Sequence, residues 1–498
     1  MVCMMRQWRM NPLVAFVSLA VWAPVGAAPV VWGATPEAMD IGSRLELFVD
    51  HHLIVGMEGT QLRLHNPQCN QLVFTFDQPW EGPQSAYVSI LKDGDEFRMY
   101  YRGGGDLVRE HTCLAVSKDA THWMRPRFGL IEFEGSKANN IIWTGPDKAY
   151  SESHNFSPFI DTNPACKPSE RYKAVSVTRV FSKPDERKNV LIGFTSPDGI
   201  RWKRVREKPL ITEGGFDSHN TMFWDERLGK YVCYSRMGQK GKRSVSRCLS
   251  DDFLNWTKPV LLDFGDTEPE HFYTNGIVPY FRAPHLYLGF PMRFVPSSER
   301  KTVGFEQRET DGLSDAVLIS SRDGMRWDRT FMEAFIRPGL DPLNWGGAHS
   351  NQTPTWGIVP ADEHRIAVYW LEHEDNYPNR RQIPRLRRGF VRTDGFVSVN
   401  APYTGGEMVT CPLVFAGKKL ALNMSTSAVG SARVQIEDAA GRPIPGFSIN
   451  DCPAFWGDEI ERVVAWKGGH DVSRLAGRPV RLRFVMKDAD LYAIRFQP

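Results

Sequence analysis

Acids, histidines and arginines recur at matching places along this chain of 498 residues. Seven acids stand out: Glu81, Asp217, Glu268, Glu270, Asp315, Glu372 and Glu374. Asp217 directly precedes Ser218-His219-Asn220-Thr221, Glu270 shortly precedes Tyr273-Thr274-Asn275-Gly276, and Glu81 sits in the loop Trp80-Glu81-Gly82-Pro83. Two carboxyls of different protonation, one acid and one base or nucleophile, are the usual equipment for cleaving a glycosidic bond. Asp217 and Glu270 are therefore the leading acid/base candidates and Glu81 the third. A second set is suited to holding a polar ligand: His154, Asn155, His219, Asn220, Asn275 and His349 at the starts of apolar runs, and Arg102, Arg236, Arg293 and Glu372 at the ends of others. Three arginines in equivalent places are expected to grip a carboxylate or sulfate through paired hydrogen bonds.

The elements that must position these residues repeat. Ser196-Pro197-Asp198-Gly199-Ile200-Arg201-Trp202 has a close copy from Ser321 to Trp327. Looser copies run from Ser117 to Trp123 and from Ser250 to Trp256, and Thr393-Asp394-Gly395-Phe396 keeps the core of the motif. Asp-Gly favours a tight turn, because Gly takes positive φ without steric cost. The Trp after it is expected to pin the turn by packing on the next unit. Each copy follows a strand-like hairpin, so the chain reads as an array of supersecondary units. Five hairpins, each continued by further strands, predict an all-β, five-bladed propeller over residues 41–400, with a strand near Phe48 closing the ring. After Gly405-Gly406 the pattern changes to alternating strands, which predict an antiparallel β-sandwich over residues 405–498. In a propeller the starts of first strands and the ends of second strands rim one funnel, which gathers the polar set above.

Composition narrows the classes. The chain is 42% hydrophobic and 24% charged, with a formal net charge of +3 and no Lys/Arg block, which argues against a nucleic-acid partner. The first 28 residues read as a signal peptide: Arg6 and Arg9, a short apolar run over residues 13–22, and small residues at Val25-Gly26-Ala27-Ala28. No later apolar run is long enough to span a bilayer, so the expected product is secreted or periplasmic, with no membrane partner. Seven cysteines remain after Cys3, none in a Cys-x-x-Cys pair, and buried free thiols are expected. His51-His52 falls short of a metal constellation, Gly103-Gly104-Gly105 lacks the strand-to-helix context of a phosphate loop, and no Gly-x-Ser-x-Gly elbow occurs. No cofactor is expected, with room left for a structural calcium ion.

The hairpin repeats, the leader and the C-terminal strands together resemble the secreted five-bladed glycosidases of glycoside hydrolase families 32 and 43. The phrases Phe48-Val49-Asp50, Pro79-Trp80-Glu81-Gly82-Pro83, Tyr273-Thr274-Asn275 and Arg282-Ala283-Pro284-His285 are similar to a group of uncharacterised secreted bacterial proteins. The first resemblance implies an exported glycoside hydrolase acting on oligosaccharides in the propeller funnel, and the three strand-end arginines add the expectation of anionic, uronic or sulfated, sugars. The alternative is a non-catalytic carbohydrate-binding propeller. The positions where those families carry acids fall here near Ser85-Ala86, Asn155 and Ser218-His219. The acids must therefore come from another arrangement, or a histidine takes part.

Overall fold

The computed structural model describes residues 37–105, 108–145, 152–183, 186–299, 312–345, 351–373 and 383–498. The expected signal peptide over residues 1–28, His349 and Glu374 lie outside them. The described chain is all-β: strands and three short 3-10 turns, with no α-helix among the described residues.

Five antiparallel arrays follow one another. Sheet 1 holds Ala86–Asp93, Glu96–Gly105, Val108–Ser117 and Ile141–Trp143. Sheet 2 holds Ser157–Ile160, Tyr172–Lys183, Glu186–Ser196 and Lys203–Arg204, and sheet 3 holds Thr221–Asp225, Lys230–Gln239, Lys242–Ser250 and Val260–Leu261. Sheet 4 is split into Val278–Tyr280, Ala283–Gly289 and Ile319–Ser321 on one side, and His271–Phe272, Met292–Pro296 and Gly312–Ala316 on the other. The sequence reads residues 286–293 as one strand, but Pro291 has no N–H for the ladder, and pairing stops at Gly289 and resumes at Met292. Sheet 5 joins Thr353–Pro354, Val359–Pro360, Arg365–Glu372 and Arg385–Arg392 to an early strand, Gln68–Thr75.

That early strand corrects one expectation. The segment before Phe48 does not complete sheet 5. Glu46–Leu47 pairs instead with Val480–Gln497, while Gln68–Thr75 runs antiparallel to Arg385–Arg392. The remaining strands form a ten-stranded sheet drawn from residues 39–64 and 397–497. Val397–Ala401, before Gly405, already pairs in it with both Gln61–Leu64 and Val480–Gln497.

The repeated turns show how the sheets are held in order. In Ser196-Pro197-Asp198, the Ser196 hydroxyl donates to Asp198 Oδ1 at 3.0 Å, and the same oxygen accepts from the N–H groups of Ile200 and Arg201 at 2.9 and 2.8 Å. The geometry recurs at Asp119, Asp252 and Asp323. The residue after each Asp takes positive φ: Ala120 at 55°, Gly199 at 72°, Phe253 at 67° and Gly324 at 72°. Four of the five turns present a carbonyl or carboxylate to a neighbouring sheet, and the Asp252 turn presents the Phe253 ring. Tyr100 of sheet 1 donates to the Gly199 carbonyl at 3.1 Å, Tyr234 of sheet 3 to that of Gly324 at 2.9 Å, and Tyr280 of sheet 4 to Asp394 at 2.5 Å. Phe159 of sheet 2 meets Phe253 edge-on, with centroids 6.0 Å apart. Tyr369 of sheet 5 donates to the Ala120 carbonyl of sheet 1 at 2.7 Å. The last sheet thus grips the first. In the two closest copies the Trp packs backwards rather than forwards: Trp202 lies edge-on to Tyr100, and Trp327 to Tyr234, of preceding sheets, whereas Trp256 meets Phe253 of its own turn.

Two large apolar cores serve these layers. One runs through sheets 1 to 4, from Tyr100 and Phe194 to Tyr234 and Trp327. The other fills the ten-stranded sheet around Phe415, Phe484 and Phe496. Of the seven described cysteines, all unpaired, Cys69 is exposed, Cys166 half-buried and the other five buried.

Candidate active site

Sheets 1, 2 and 3 bring one polar cluster together. Arg102 stands near the end of the second strand of sheet 1, which runs on to Gly105, and Glu110 stands on the third. His154 precedes the first strand of sheet 2, and Asp217 that of sheet 3. The His154 ring joins them: Nδ1 lies 2.7 Å from Glu110 Oε1, and Nε2 lies 2.9 Å from Asp217 Oδ1. A carboxylate accepts, so each ring nitrogen must donate, and only the imidazolium has both N–H groups. Burial works to lower the His154 pKa, but the hydrogen bonds to Asp217 and Glu110 outweigh it and raise the pKa above the ordinary histidine value. Arg102 Nη1 also approaches Nδ1, at 3.3 Å, but it carries no lone pair, so the shorter contact to Glu110 decides the proton's place.

Asp217 is the outward member, with 41% of its side chain exposed against 17% for Glu110. Burial tends to raise its pKa, yet the His154 hydrogen bond and charge, then Arg236 and Arg102, hold it well below the usual carboxylate range. Arg236 Nη2 stands 3.7 Å from Asp217 Oδ2. Arg102 is fixed by the Gln84 carbonyl, which accepts from Nε at 2.9 Å and Nη2 at 2.6 Å, and it lies over the Tyr87 ring at 4.9 Å. Tyr87, at φ 52°, touches the rings of both His154 and His219, each with centroids 5.8 Å away.

His219 is a different histidine. It is 1% exposed, its Nε2 meets only the Ser89 hydroxyl at 3.1 Å, and burial alone pushes its pKa down to about 3. It is a neutral core group beside the cluster.

Asn155 and Asn275 interlock neighbouring sheets and Asn220 braces the loop before its own strand, so their hydrogen bonds go to the protein rather than to the ligand expected. Asn155 donates to the carbonyls of Phe216, at 2.8 Å, and Ser218, while its own oxygen accepts from Val177 N–H at 2.9 Å. Asn220 donates to the same two carbonyls at 2.8 and 3.0 Å. Asn275 donates to the His219 carbonyl at 2.9 Å and accepts from Thr221 and Ile277 at 2.8 and 3.0 Å. All three are buried. A buried Asn is retained because it satisfies main-chain groups that no strand reaches.

Two of the expected acids are clamped elsewhere. Glu81 is buried: its Oε1 accepts from Tyr101 at 2.5 Å and Arg125 Nε at 2.9 Å, and its Oε2 from Arg125 Nη2 at 2.9 Å. Glu270 meets Arg293 Nη1 at 3.0 Å and Arg329 Nη2 at 2.5 Å. Arg293 turns its remaining fork onto Asp315, at 2.8 and 2.6 Å. Glu372, also buried, accepts from Arg387 at 2.8 Å and from the Trp370 indole at 3.2 Å. Arg293 and Glu372 are therefore parts of protein ion pairs, and the trio of arginines expected to hold an anion does not assemble. Glu270 borders a cavity of about 330 Å³ with Glu268, Asp263 and Arg329, whereas Asp217 and Arg236 border a separate cleft of about 570 Å³. Among the described residues, no group of three or more His, Cys, Asp or Glu side chains is placed to hold a metal ion.

No protein-family model matches the chain, and no curated protein sequence does. Solved structures do. An N-acetylgalactosamine deacetylase from F. plautii, solved with blood group B trisaccharide, is 12% identical, with 67% of this chain and 96% of that one covered and a TM-score of 0.44. A glycosyl hydrolase from Bacteroides ovatus is 13% identical over 65% and 93%, with a TM-score of 0.42. A structure from the GH130 family of mannoside phosphorylases, described as containing glycoside hydrolases that target β-1,2 mannosidic linkages in Candida mannan, is 13% identical over 69% and 96%, with a TM-score of 0.41. Identities this low transfer no residue role.

Glu110 is the member of the cluster that the sequence reading missed. It stands two residues before Thr112, which pairs with Arg102 across the hairpin, so the period-2 alternation of a strand puts it on the face of Arg102. That signal was available once the hairpin register was known.

Proposed function

We propose that the chain is an exported glycoside hydrolase, with a signal peptide over residues 1–28 and a five-bladed propeller built from sheets 1 to 5. Its C-terminal β-sandwich, residues 405–498, is completed by strands from residues 39–64. The grip of Tyr369 on Ala120, with Gln68–Thr75 in sheet 5, supports the closed ring. One observation carries the catalytic reading: a single imidazolium bridges two carboxylates drawn from neighbouring sheets, and the outer one meets solvent.

In this reading His154 stores the proton. It passes from Nε2 to Asp217 and on to the glycosidic oxygen as the C–O bond breaks. Water then adds to the anomeric carbon, and its proton returns through Asp217 to His154. Glu110 balances the imidazolium and fixes the ring. Asp217 is held ionised at rest, so it does not store the proton but relays it from His154 only as the leaving oxygen gains basicity with C–O cleavage. Glu270 and Glu81 are left structural, since their oxygens are spent on arginines and a tyrosine. The test is release of reducing sugar from diverse polysaccharide digests by the wild type and by Asp217→Asn. Release by the wild type and its loss in the variant support the assignment. Equal release by both removes it.

A second reading is a non-catalytic carbohydrate-binding propeller. The observation that favours it is that cations fill the gaps: His154 lies between Glu110 and Asp217, and Arg293 between Glu270 and Asp315. Saturable oligosaccharide binding without any release of sugar would select it.

A further inference from the structure

Four strands of the ten-stranded sheet lie side by side in the order Ile54–Glu58, Gly406–Thr410, Val480–Gln497 and Lys419–Asp438. Residues directly opposite one another share a face, so the register sorts the side chains. Met57, Met408, Phe484 and Val434 stand in one row and pack into the apolar core. One residue along, Glu58, Glu407, Val485 and Arg433 form a row on the opposite, outer face, and Lys487 and Ser431 stand beyond it on the same face. These six border an open groove of about 670 Å³. Its end is shaped by bare backbone, since a Cβ on Gly406 would come within 2.6 Å of the Gly59 main chain.

Two exposed aromatic side chains flank this face. Tyr403 adjoins Thr404 at the rim of the groove. Lys487 Nζ lies 4.5 Å from its ring centroid, yet Tyr403 is still 64% exposed. On the far side Phe455 bridges Ala432 and turns into the core, so Trp456, the next residue, takes the outer face beside Ser431. Trp456 is 66% exposed, and Val429, in the run that bulges out of the neighbouring strand, is exposed with it. The strands of Lys487 and Ser431 lie between the two rings, which at ~4.8 Å per strand sets them roughly 10–15 Å apart. Exposed apolar groups rimmed by polar ones mark binding surfaces.

The polar groups between the rings are of both signs. Glu407 accepts from Arg483 Nε at 3.1 Å. Glu58 stands directly opposite Glu407, a like-charge pair that costs stability. Among the described residues Glu58 and Arg433 make no ion pair. A saccharide chain has the matching chemistry: apolar C–H faces to lie on aromatic rings, and hydroxyl edges that both give and accept hydrogen bonds. The two neighbouring carboxylates accept from hydroxyls and repel an anionic chain.

We propose that this outer face is a second glycan-binding site, taking a neutral oligosaccharide laid across the strands between Tyr403 and Trp456. It goes beyond the hydrolase reading and shares no residue with the cluster of His154 and Asp217, so the two stand or fall separately. A chain held here is anchored to the protein without meeting the groups assigned to cleavage.

Calorimetric titration of the full chain with glucohexaose, xylohexaose, mannohexaose and hexagalacturonate tests it. Asp217→Asn is titrated beside the wild type as a form in which cleavage does not consume the probe. At least one neutral hexaose should bind both proteins saturably and alike, and hexagalacturonate at least tenfold more weakly. Trp456→Ala and Tyr403→Ala should each lose about tenfold for that sugar, on the scale of one aromatic contact, while Trp456→Phe, which keeps an aromatic face, should lose less. Glu58→Gln should narrow the gap between neutral and anionic probes. Both rings are exposed, so thermal unfolding of these variants should match the wild type. No saturable binding of any neutral hexaose, equal affinity in the Trp456→Ala/Tyr403→Ala double variant and the wild type, or tighter binding of hexagalacturonate overturns the proposal. If the aromatic variants lose binding but Asp217→Asn releases sugar like the wild type, the glycan site stands and the hydrolase reading falls.

Discussion

Several places in this molecule put a cation between two carboxylates, and two of them differ in one telling property. At the junction of sheets 1, 2 and 3 the cation is His154, between Glu110 and Asp217. In sheet 4 it is Arg293, between Glu270 and Asp315. A guanidinium does not give up its proton in a protein, and the carboxylates around Arg293 raise its pKa further against the burial that lowers it. An imidazolium can release a proton in the range where biology operates. The geometry is alike, but only the histidine site can move a proton, and only there does a carboxylate extend well into solvent. On the reading proposed above, two bridged carboxylates serve catalysis only where the cation between them can titrate.

Breaking the two sites separately should separate activity from stability. Asp217→Asn is expected to fold normally and to lower sugar release about a thousandfold, roughly 4 kcal/mol, the range of a lost general acid/base. Glu270→Gln should stay within a few-fold of the wild type. A comparable loss in both would erase the contrast. Arg293→Met leaves Glu270 and Asp315 facing each other without the cation, and should cost about 3 kcal/mol of unfolding free energy, read by urea titration.

The third test uses histidines outside both bridges. His111 is buried against Phe133 with both ring nitrogens lacking a hydrogen-bond partner, and burial, with Arg109 adding to it, pushes its pKa down to about 4. A histidine with a depressed folded pKa gives stability that is complete above its unfolded pKa of ~6.5 and is lost as pH falls towards the folded value. From pH 7 to pH 5 this one group should remove about 2 kcal/mol of stability. His111→Phe should flatten that part of the pH profile, and an unchanged slope would show that His111 is not the cause. His154 carries the opposite sign: its raised pKa gives stability present below the unfolded value and lost as pH rises through the folded one.

The smallest expected effect concerns the repeat. Asp198→Ala removes the oxygen that accepts two N–H groups of its turn, and should cost about 1 kcal/mol, measured by thermal unfolding. The activity contrast between the two bridges should survive it.

Much of the fold was legible because it is written in local chemistry. The Ser-x-Asp turns, the hairpins and the all-β character follow from positive-φ positions and period-2 apolar runs. What was not legible depends on partners distant in sequence. Nothing near Phe48 or Gln68 says which of them joins sheet 5, since each strand would present an apolar face to whichever sheet is nearest. The break in sheet 4 was readable from Pro291. Asp217 and His154, named from strand entries, and Arg102 and Arg236, named from strand ends, lie together in one cluster. Glu110 is not legible locally, because only the hairpin register puts its face of the third strand beside Arg102. Asn155, Asn220 and Asn275 read as ligand groups because an asparagine that braces a loop or locks two sheets looks, in sequence, like one that faces a cavity. Glu81 and Glu270 were misjudged for a similar reason: Arg125 and Arg329, which engage them, lie 44 and 59 residues away.

The central claim is that His154 is an imidazolium held between Glu110 and Asp217. Nitrogen-15 NMR of histidine-labelled protein, with His154→Gln to assign the signal, reads this directly. At pH 7 both ring nitrogens should show protonated shifts, titrating above ~6.5, and Asp217→Asn should bring the midpoint down. A neutral single tautomer for His154 at pH 7, unaffected by Asp217→Asn, would contradict the account.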